Sequence, residues 1–175
     1  QKEGIKEING NITIYSGRYE DFEEIEKWPF QDLANYYGTS ASSINIQENS
    51  YEIHFERSVH SGVLTHIKQT NPPIDTILWN NRVKTGSAGS GDQAYIHGSP
   101  FSREREIRGT IPAGKGDFVI RGSLPYPAFH FGKWIQNELK RRDISVHGKV
   151  IVTKETSEQG YTQLANFKSP TLLAI

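Results

Sequence analysis

The sequence predicts an α+β fold: a mixed sheet with a βαβ-type unit, carrying an inserted β-rich subdomain. Three observations point there. Between Ser42 and Ser123 apolar and polar residues alternate in short runs separated by turn residues. Residues 125–142 form the one long stretch of helical periodicity, and a β-branched run at 149–153 follows it. Residues 8–14 (Ile-Asn-Gly-Asn-Ile-Thr-Ile) are echoed at 146–152 (Val-His-Gly-Lys-Val-Ile-Val). The division implied is a discontinuous α/β domain, residues 1–41 with 123–175, and a β-rich subdomain at 42–122 within it.

Taken in order, residues 1–7 are polar and read as the tail of a helix. Residues 8–11 read as a turn and 11–15 as a strand entering a core, and 17–27 form an acidic loop. Trp28-Pro29-Phe30 leads into a short helical turn at 31–38 that Gly38 closes. Strand candidates follow at 43–46, 51–55, 63–68, 76–83, 94–98, 104–111 and 117–122. Turns separate them at 47–50, 71–73, 86–91 and 112–116, where Asn, Pro and Gly concentrate. In the helix, Ala128, Phe131, Ile135 and Leu139 recur three to four apart, and Trp134 widens the stripe. Pro127 suits a first turn, and Lys140-Arg141-Arg142 suit the negative end of the helix dipole. His147-Gly148 turns into the strand at 149–153, and strand, helix, strand in that order implies a right-handed crossover. The echo reads either as two equivalent helix-to-strand entries into one sheet or as chance, since Gly before a β-branched run is common.

Composition narrows the function. Lys plus Arg equals Asp plus Glu at 20 each, so the chain lacks the basic excess of a phosphate-tracking nucleic-acid binder. No run approaches the ~20 apolar residues a membrane helix needs. With no cysteine, disulfides and thiolate metal sites are excluded, which is compatible with an exported bacterial protein. The six histidines form no His-Glu-x-x-His or comparable cluster, so neither a metal nor another cofactor is expected. Both ends, Gln1 and the apolar run at 172–175, read as cut points of a longer chain.

Two motifs invite chemistry. Lys84-Thr85-Gly86, followed by the glycine- and serine-rich run at 87–91, matches the third motif of penicillin-recognising serine enzymes, and Ser43-Ile44-Asn45 matches their Ser-x-Asn. The decisive Ser-x-x-Lys, in which a lysine one helical turn on activates the serine, is absent: no serine is followed by lysine at that spacing. The triplet is therefore expected to be a turn between strands, with a small hydrolase using Ser87 or Ser90 as the competing enzyme reading. Residues 109–116 mimic a phosphate-binding loop but lack the Ser or Thr after lysine and a following helix, so a hairpin turn is expected. Asp32 stands two residues after Phe30 and four before Tyr36. It is either an exposed turn carboxylate or a carboxylate framed by aromatics that holds an amine.

The ordered set of landmarks resembles one family. They are residues 5–14, the stretch 28–38 (Trp-Pro-Phe-Gln-Asp-Leu-Ala-Asn-Tyr-Tyr-Gly), residues 83–96, Arg108-Gly-Thr-Ile-Pro-Ala-Gly114, the helix end at 138–144, and 169–173 (Ser-Pro-Thr-Leu-Leu). Their order and spacing resemble the D-alanyl-D-alanine carboxypeptidase/endopeptidase family of class C low-molecular-mass penicillin-binding proteins, the S13 serine peptidases. In that family extra domains lie between Ser-x-x-Lys and Ser-x-Asn, and this chain resembles that insert. The resemblance implies that Lys84-Thr85-Gly86 and Ser43-Ile44-Asn45 are not the family's catalytic motifs, that no catalytic residue lies in this chain, and that the chain alone is inactive. It implies that Asp32 binds the amine of the stem peptide's diamino acid and that Tyr37 lines the same subsite. Trp-Pro-Phe stands here where many relatives have Trp-x-Trp. The partner implied is the peptidoglycan stem peptide, met together with a transpeptidase-like domain, in the periplasm or cell envelope. The alternative is a stand-alone cell-envelope binding module without enzymatic activity.

Overall fold

A computed structural model describes residues 4–17, 27–155, 160–168 and 170–171. Its first feature is the sequence echo, which is a strand register. Strand β1 (Glu7–Ile8) lies parallel to β10 (Ser145–Val146), and β2 (Ile12–Tyr15) lies parallel to β11 (Val150–Thr153). Every pair, from Glu7 with Ser145 to Tyr15 with Thr153, is made at one constant spacing of 138 positions. Between the two ladders the Asn11 side-chain oxygen accepts the Lys149 N–H at 2.9 Å, so the register passes through the gap without slipping. The echo is thus two like segments laid side by side. The first does not follow a helix among the described residues, for residues 4–6 are irregular and β1 is a strand. Expectations for residues 1–3, for most of the 17–27 loop and for the end at 172–175 lie outside the described residues.

Helix α1 (Pro127–Arg141) packs on β2 and β11. Pro127 is in its first turn and Lys140 and Arg141 in its last, as the dipole favours. The packing face differs slightly from the expected stripe. Ala128 and Gly132 are its buried centre, Phe131, Ile135 and Leu139 are half-buried, and Trp134 is exposed, stacked on Phe131. Gly132 explains the shift: a β-carbon there would stand 2.4 Å from Val150 Cγ1, so the helix comes closest to the sheet at that point. The strand before the helix, β9 (Asp117–Ser123), is not the partner of β11. The βαβ relation joins β2 to β11 through α1, with all the other strands of 50–123 in between.

Those strands make two further sheets. In the first, β3 (Ser50–Glu56) pairs antiparallel with β4 (His66–Asn71) on one side and β9 on the other. In the second, β8 (Glu104–Ile111) is the spine. Strands β5 (Leu78–Asn81) and β6 (Lys84–Thr85) follow one another along one edge of β8, and β7 (Gln93–His97) runs antiparallel along the other. Alternation puts Tyr51, Ile53 and Phe55 of β3 and Ile120 of β9 inward, together with Ile96 of β7 and Ile107 and Ile111 of β8. Each side chain so buried contributes about 1.5–3 kcal/mol, which makes this cluster the main source of cohesion.

Three expected strands come out differently. Residues 43–46 form bends leading into a 3-10 turn at Gln47–Asn49. Polar side chains take the backbone bonds a ladder would need: Ser42 Oγ accepts from Ile44 N–H, and Asn49 Oδ1 from Ile46 N–H. The 63–68 run splits, because Thr65 N–H and hydroxyl both donate to the Val83 carbonyl while 66–71 pairs with β3. The 76–83 run breaks after β5, where the Asn81 side chain accepts the Val83 N–H and kinks the chain before β6.

The helix also faces the β-rich part through His130. Burial, reinforced by the Arg105 cation and opposed by Asp75, holds this imidazole down at about 4, from 6.5. The folded state therefore binds fewer protons than the unfolded chain between those values. Stability is complete above pH 6.5 and is lost as the pH falls through this window, by up to about 3 kcal/mol. Urea unfolding at pH 7 and pH 4.5 is expected to show that loss, and His130→Gln to reduce it.

Candidate functional site

The stretch expected as a helical turn is a series of tight turns ending in a 3-10 helix, Tyr36–Gly38. Asp32 N–H donates to the Pro29 carbonyl (2.9 Å), Asn35 N–H to the Asp32 carbonyl (3.0 Å) and Gly38 N–H to the Asn35 carbonyl (2.8 Å). Glycine is required at the end. A β-carbon on Gly38 would lie 2.1 Å from the Asp32 carbonyl oxygen, so any other residue would push the Asp32 backbone away.

This turn is sewn to both sheets of the β-rich part. The Asn35 side chain accepts from Ile96 N–H (3.0 Å) and donates to the Ile96 carbonyl (3.1 Å), replacing a strand along the free edge of β7. It also donates to the Gln31 carbonyl at 2.9 Å. On the other side, Asn35 bridges Gly122, Ser123 N–H donates to the Ala34 carbonyl, and the Ser123 hydroxyl donates to the Leu33 carbonyl. Leu33 and Ala34 are buried beneath. Asp32 is left half-buried at the surface, and Tyr36 and Tyr37 are exposed.

The two residues singled out from the sequence are neighbours. The Tyr37 hydroxyl is held above its ordinary value first by burial, then by the Asp32 carboxylate, which acts on it as a charge and as a hydrogen-bond acceptor; Tyr95 of β7 adds to the effect. The Tyr36 ring meets that of Tyr37 edge-on at 5.2 Å, and the Arg121 guanidinium lies over the Tyr36 ring at 5.4 Å. Arg121 is fixed there by Glu48 (2.8 Å) and Ser50 (2.9 Å). A carboxylate beside exposed tyrosine faces can hold an ammonium group by charge and by cation–π attraction. Tyr95 was not found from sequence because it stands far along the chain and only the Asn35–Ile96 pairing brings its strand here. Asn35 carried a weak signal, a lone amide among Leu33, Ala34 and the tyrosines.

The catalytic look-alikes are placed elsewhere. Lys84 is exposed and Thr85 buried, the two together forming strand β6 beside β8. The Ser43 hydroxyl donates to the Ser16 carbonyl at 2.7 Å, and Asn45 bonds Ser42 and Asn49. Ser87 and Ser90 sit in an exposed turn, with no histidine or lysine partner among the described residues. Residues 109–111 belong to β8, and the following turn is held by Arg57, which donates to the Lys115 and Gly116 carbonyls. Among the described residues no group of three or more His, Asp or Glu side chains could hold a metal ion. None of the described helices is long and apolar enough to cross a membrane.

Comparison with known proteins gives two kinds of match. The family model for the D-Ala-D-Ala carboxypeptidase 3 (S13) family matches residues 1–175. Among solved structures, the chain is similar to penicillin binding protein 4 (dacB) from Haemophilus influenzae, with a TM-score of 0.67 and 15% identity over 90% of this chain and 34% of that one. It is similar also to that protein complexed with a novel beta-lactam, with a TM-score of 0.59 and 16% identity over 90% and 31%. The chain therefore spans about a third of the length of these structures, and at such identities the likeness is one of fold.

Asn35→Ala would leave the buried Ile96 N–H and carbonyl without partners and free the turn from β7. A loss of about 2–4 kcal/mol is expected in urea unfolding. Tyr37 fluorescence and amide exchange around residues 32–38 would report a loosened turn. An unchanged midpoint would show that Asn35 does not hold it.

Proposed function

Because this chain belongs to the D-Ala-D-Ala carboxypeptidase 3 (S13) family, we propose that it is the inserted, non-catalytic part of a longer serine carboxypeptidase/endopeptidase that acts on peptidoglycan stem peptides in the periplasm or cell envelope. The nucleophile, its lysine and the carboxylate-binding triplet of the acyl-enzyme route would lie in the rest of that protein. The absence of Ser-x-x-Lys supports this reading, as does the burial of Thr85, which withdraws the local Lys-Thr-Gly from any cleft. In domain terms, residues 1–41 with 123–175 form an α/β unit, and 42–122 are the β-rich subdomain inserted in it.

The observation that carries the substrate role is the pairing of Asp32 with Tyr37 at the surface, on a turn locked to two sheets. Asp32 receives the free ammonium of the stem peptide's diamino acid, while Tyr36, Tyr37 and Tyr95 offer ring faces to its aliphatic stem. The turn is rigid before the ligand arrives, so binding costs little ordering there. The chain shapes the substrate end of the cleft, and the catalytic domain performs the bond cleavage. The alternative, a stand-alone envelope-binding module, would use the same turn to hold the same amine without any reaction.

The test is Asp32→Asn in the longer enzyme. Loss of the charge at nearly constant shape is expected to lower kcat/KM on stem peptides with a free side-chain amine by tenfold or more, on the order expected for one charge-assisted bond. Peptides whose amine is acetylated should be turned over alike by both proteins. Equal turnover of the free-amine peptide would remove Asp32 from the substrate site.

A further inference from the structure

We propose that Arg82 and Arg108, on the outer face of the β5–β8–β7 sheet, bind a carboxylate of the same peptide whose amine Asp32 receives. The strand register places them. Asn80 and His97 flank Glu106 in one row, and Tyr95 stands opposite Arg108 in the next. Arg82 follows β5 and stays against β8, its N–H donating to the Ile107 carbonyl at 2.8 Å. Arg105, Ile107 and Ile111 are buried on the core face of β8, so alternation turns Glu106 and Arg108 outward.

Two features set this cluster apart from ordinary surface ion pairs. The first is its charge balance. Arg82 Nε lies 2.9 Å and Arg108 Nη2 2.8 Å from the Glu106 carboxylate. Either arginine alone would neutralise Glu106, so one positive charge is left over. Lys84 is exposed nearby and makes no ion pair among the described residues, so it adds to the field without entering the cluster. The other outward carboxylate of β8, Glu104, lies on the far side of Glu106 from Arg108. Asp92, in the turn before β7, accepts the Ala94 N–H. The second feature is exposure. The side chains of Arg82 and Arg108 are 63% and 59% exposed, and that of Glu106 is 23%. The carboxylate thus holds both guanidinium heads from beneath and leaves the rest of each open to solvent. Such a held fork matches a carboxylate bidentately and loses little freedom on binding it.

The surroundings select the partner. The Asp32 turn runs along the edge of β7 through the Asn35–Ile96 bonds, and Tyr95, next to Ile96, acts on the Tyr37 hydroxyl. Arg108 stands about 5 Å across from Tyr95, backbone to backbone. One exposed surface therefore passes from a carboxylate, over tyrosine rings, to a cationic pair. An acidic peptide with one ammonium side chain fits that order, a few extended residues at about 3.3 Å each covering the path. A long polyanion fits poorly, because it needs a longer basic track and would meet Asp32 at one end and Glu104 at the other.

The inference rests on the proposed function in one respect, that a peptide held at Asp32 delivers the carboxylate. Its test uses the longer natural protein and free-amine stem peptides with their internal carboxylates either free or converted to primary amides. Binding is measured by calorimetry with peptides ending at the diamino acid, which lack the terminal D-alanine to be removed, and kcat/KM with the complete peptides. The free form should be favoured about tenfold in both. Arg82→Gln and Arg108→Gln should each bring the ratio toward one, with Arg108→Lys in between. Lys68→Gln, which removes a charge from the other sheet, should leave the ratio intact. Equal binding of the two forms, a preference that survives in the Arg82→Gln/Arg108→Gln double variant, or one lost equally in Lys68→Gln would overturn the carboxylate site. So would arginine-dependent binding of phosphatidylglycerol vesicles with no preference between the peptides. Unchanged handling of the free amine by Asp32→Asn would sink the amine site instead, and a persisting carboxylate ratio in that variant would leave this site standing.

Discussion

One asparagine side chain ties the Asp32 turn to the β-rich part of this protein. On the free edge of β7, the N–H and carbonyl of Ile96 are buried and point away from β8. The Asn35 amide meets both and so does the work of a missing strand. On its other side the same segment is bonded to β9. Two sheets that share a core but no ladder are thereby joined across their seam by a short stretch of turn. The orientation of Asp32, Tyr36 and Tyr37 follows from this. They project from the outside of a segment whose inside, Leu33 and Ala34, is buried and whose bends are closed by Gly38.

The second constraint lies at the other end of the molecule. The strands β2 and β11 bracket the strands and the helix between them, held side by side in parallel register. Gly148 lets the segments pass closely. A β-carbon on Gly148 would lie 2.1 Å from the Gly10 carbonyl oxygen.

Much of this was legible beforehand, for physical reasons. Strand β8 was found at its full length because its alternation is uninterrupted, and α1 because Ala128, Phe131, Ile135 and Leu139 recur at helical spacing while Pro127 and the terminal basic residues obey helix-end rules. Asp32 could be framed by the aromatics around it on paper because they share one turn, and Tyr37 was singled out by the family resemblance. The failures have a common cause. At 43–46 and around Val83, asparagine and serine side chains captured backbone groups that a pattern of apolar residues assigns to ladders. Tyr95 and the row of Asn80, Glu106 and His97 depend on which strands become neighbours, and alternation along a strand is silent about that. The Lys-Thr-Gly triplet shows the reverse problem: a correct local motif whose threonine is buried, so it is not presented to any substrate.

The proposed role of this chain is that of a recognition element whose chemistry is supplied from elsewhere. The most direct measurement is covalent labelling with a fluorescent β-lactam, applied in parallel to the isolated 175-residue chain and to the longer natural protein. An adduct on the longer protein, with none on the isolated chain at any concentration tested, is the predicted result. A stoichiometric adduct on the isolated chain, mapped to Ser43, Ser87 or Ser90, would contradict it.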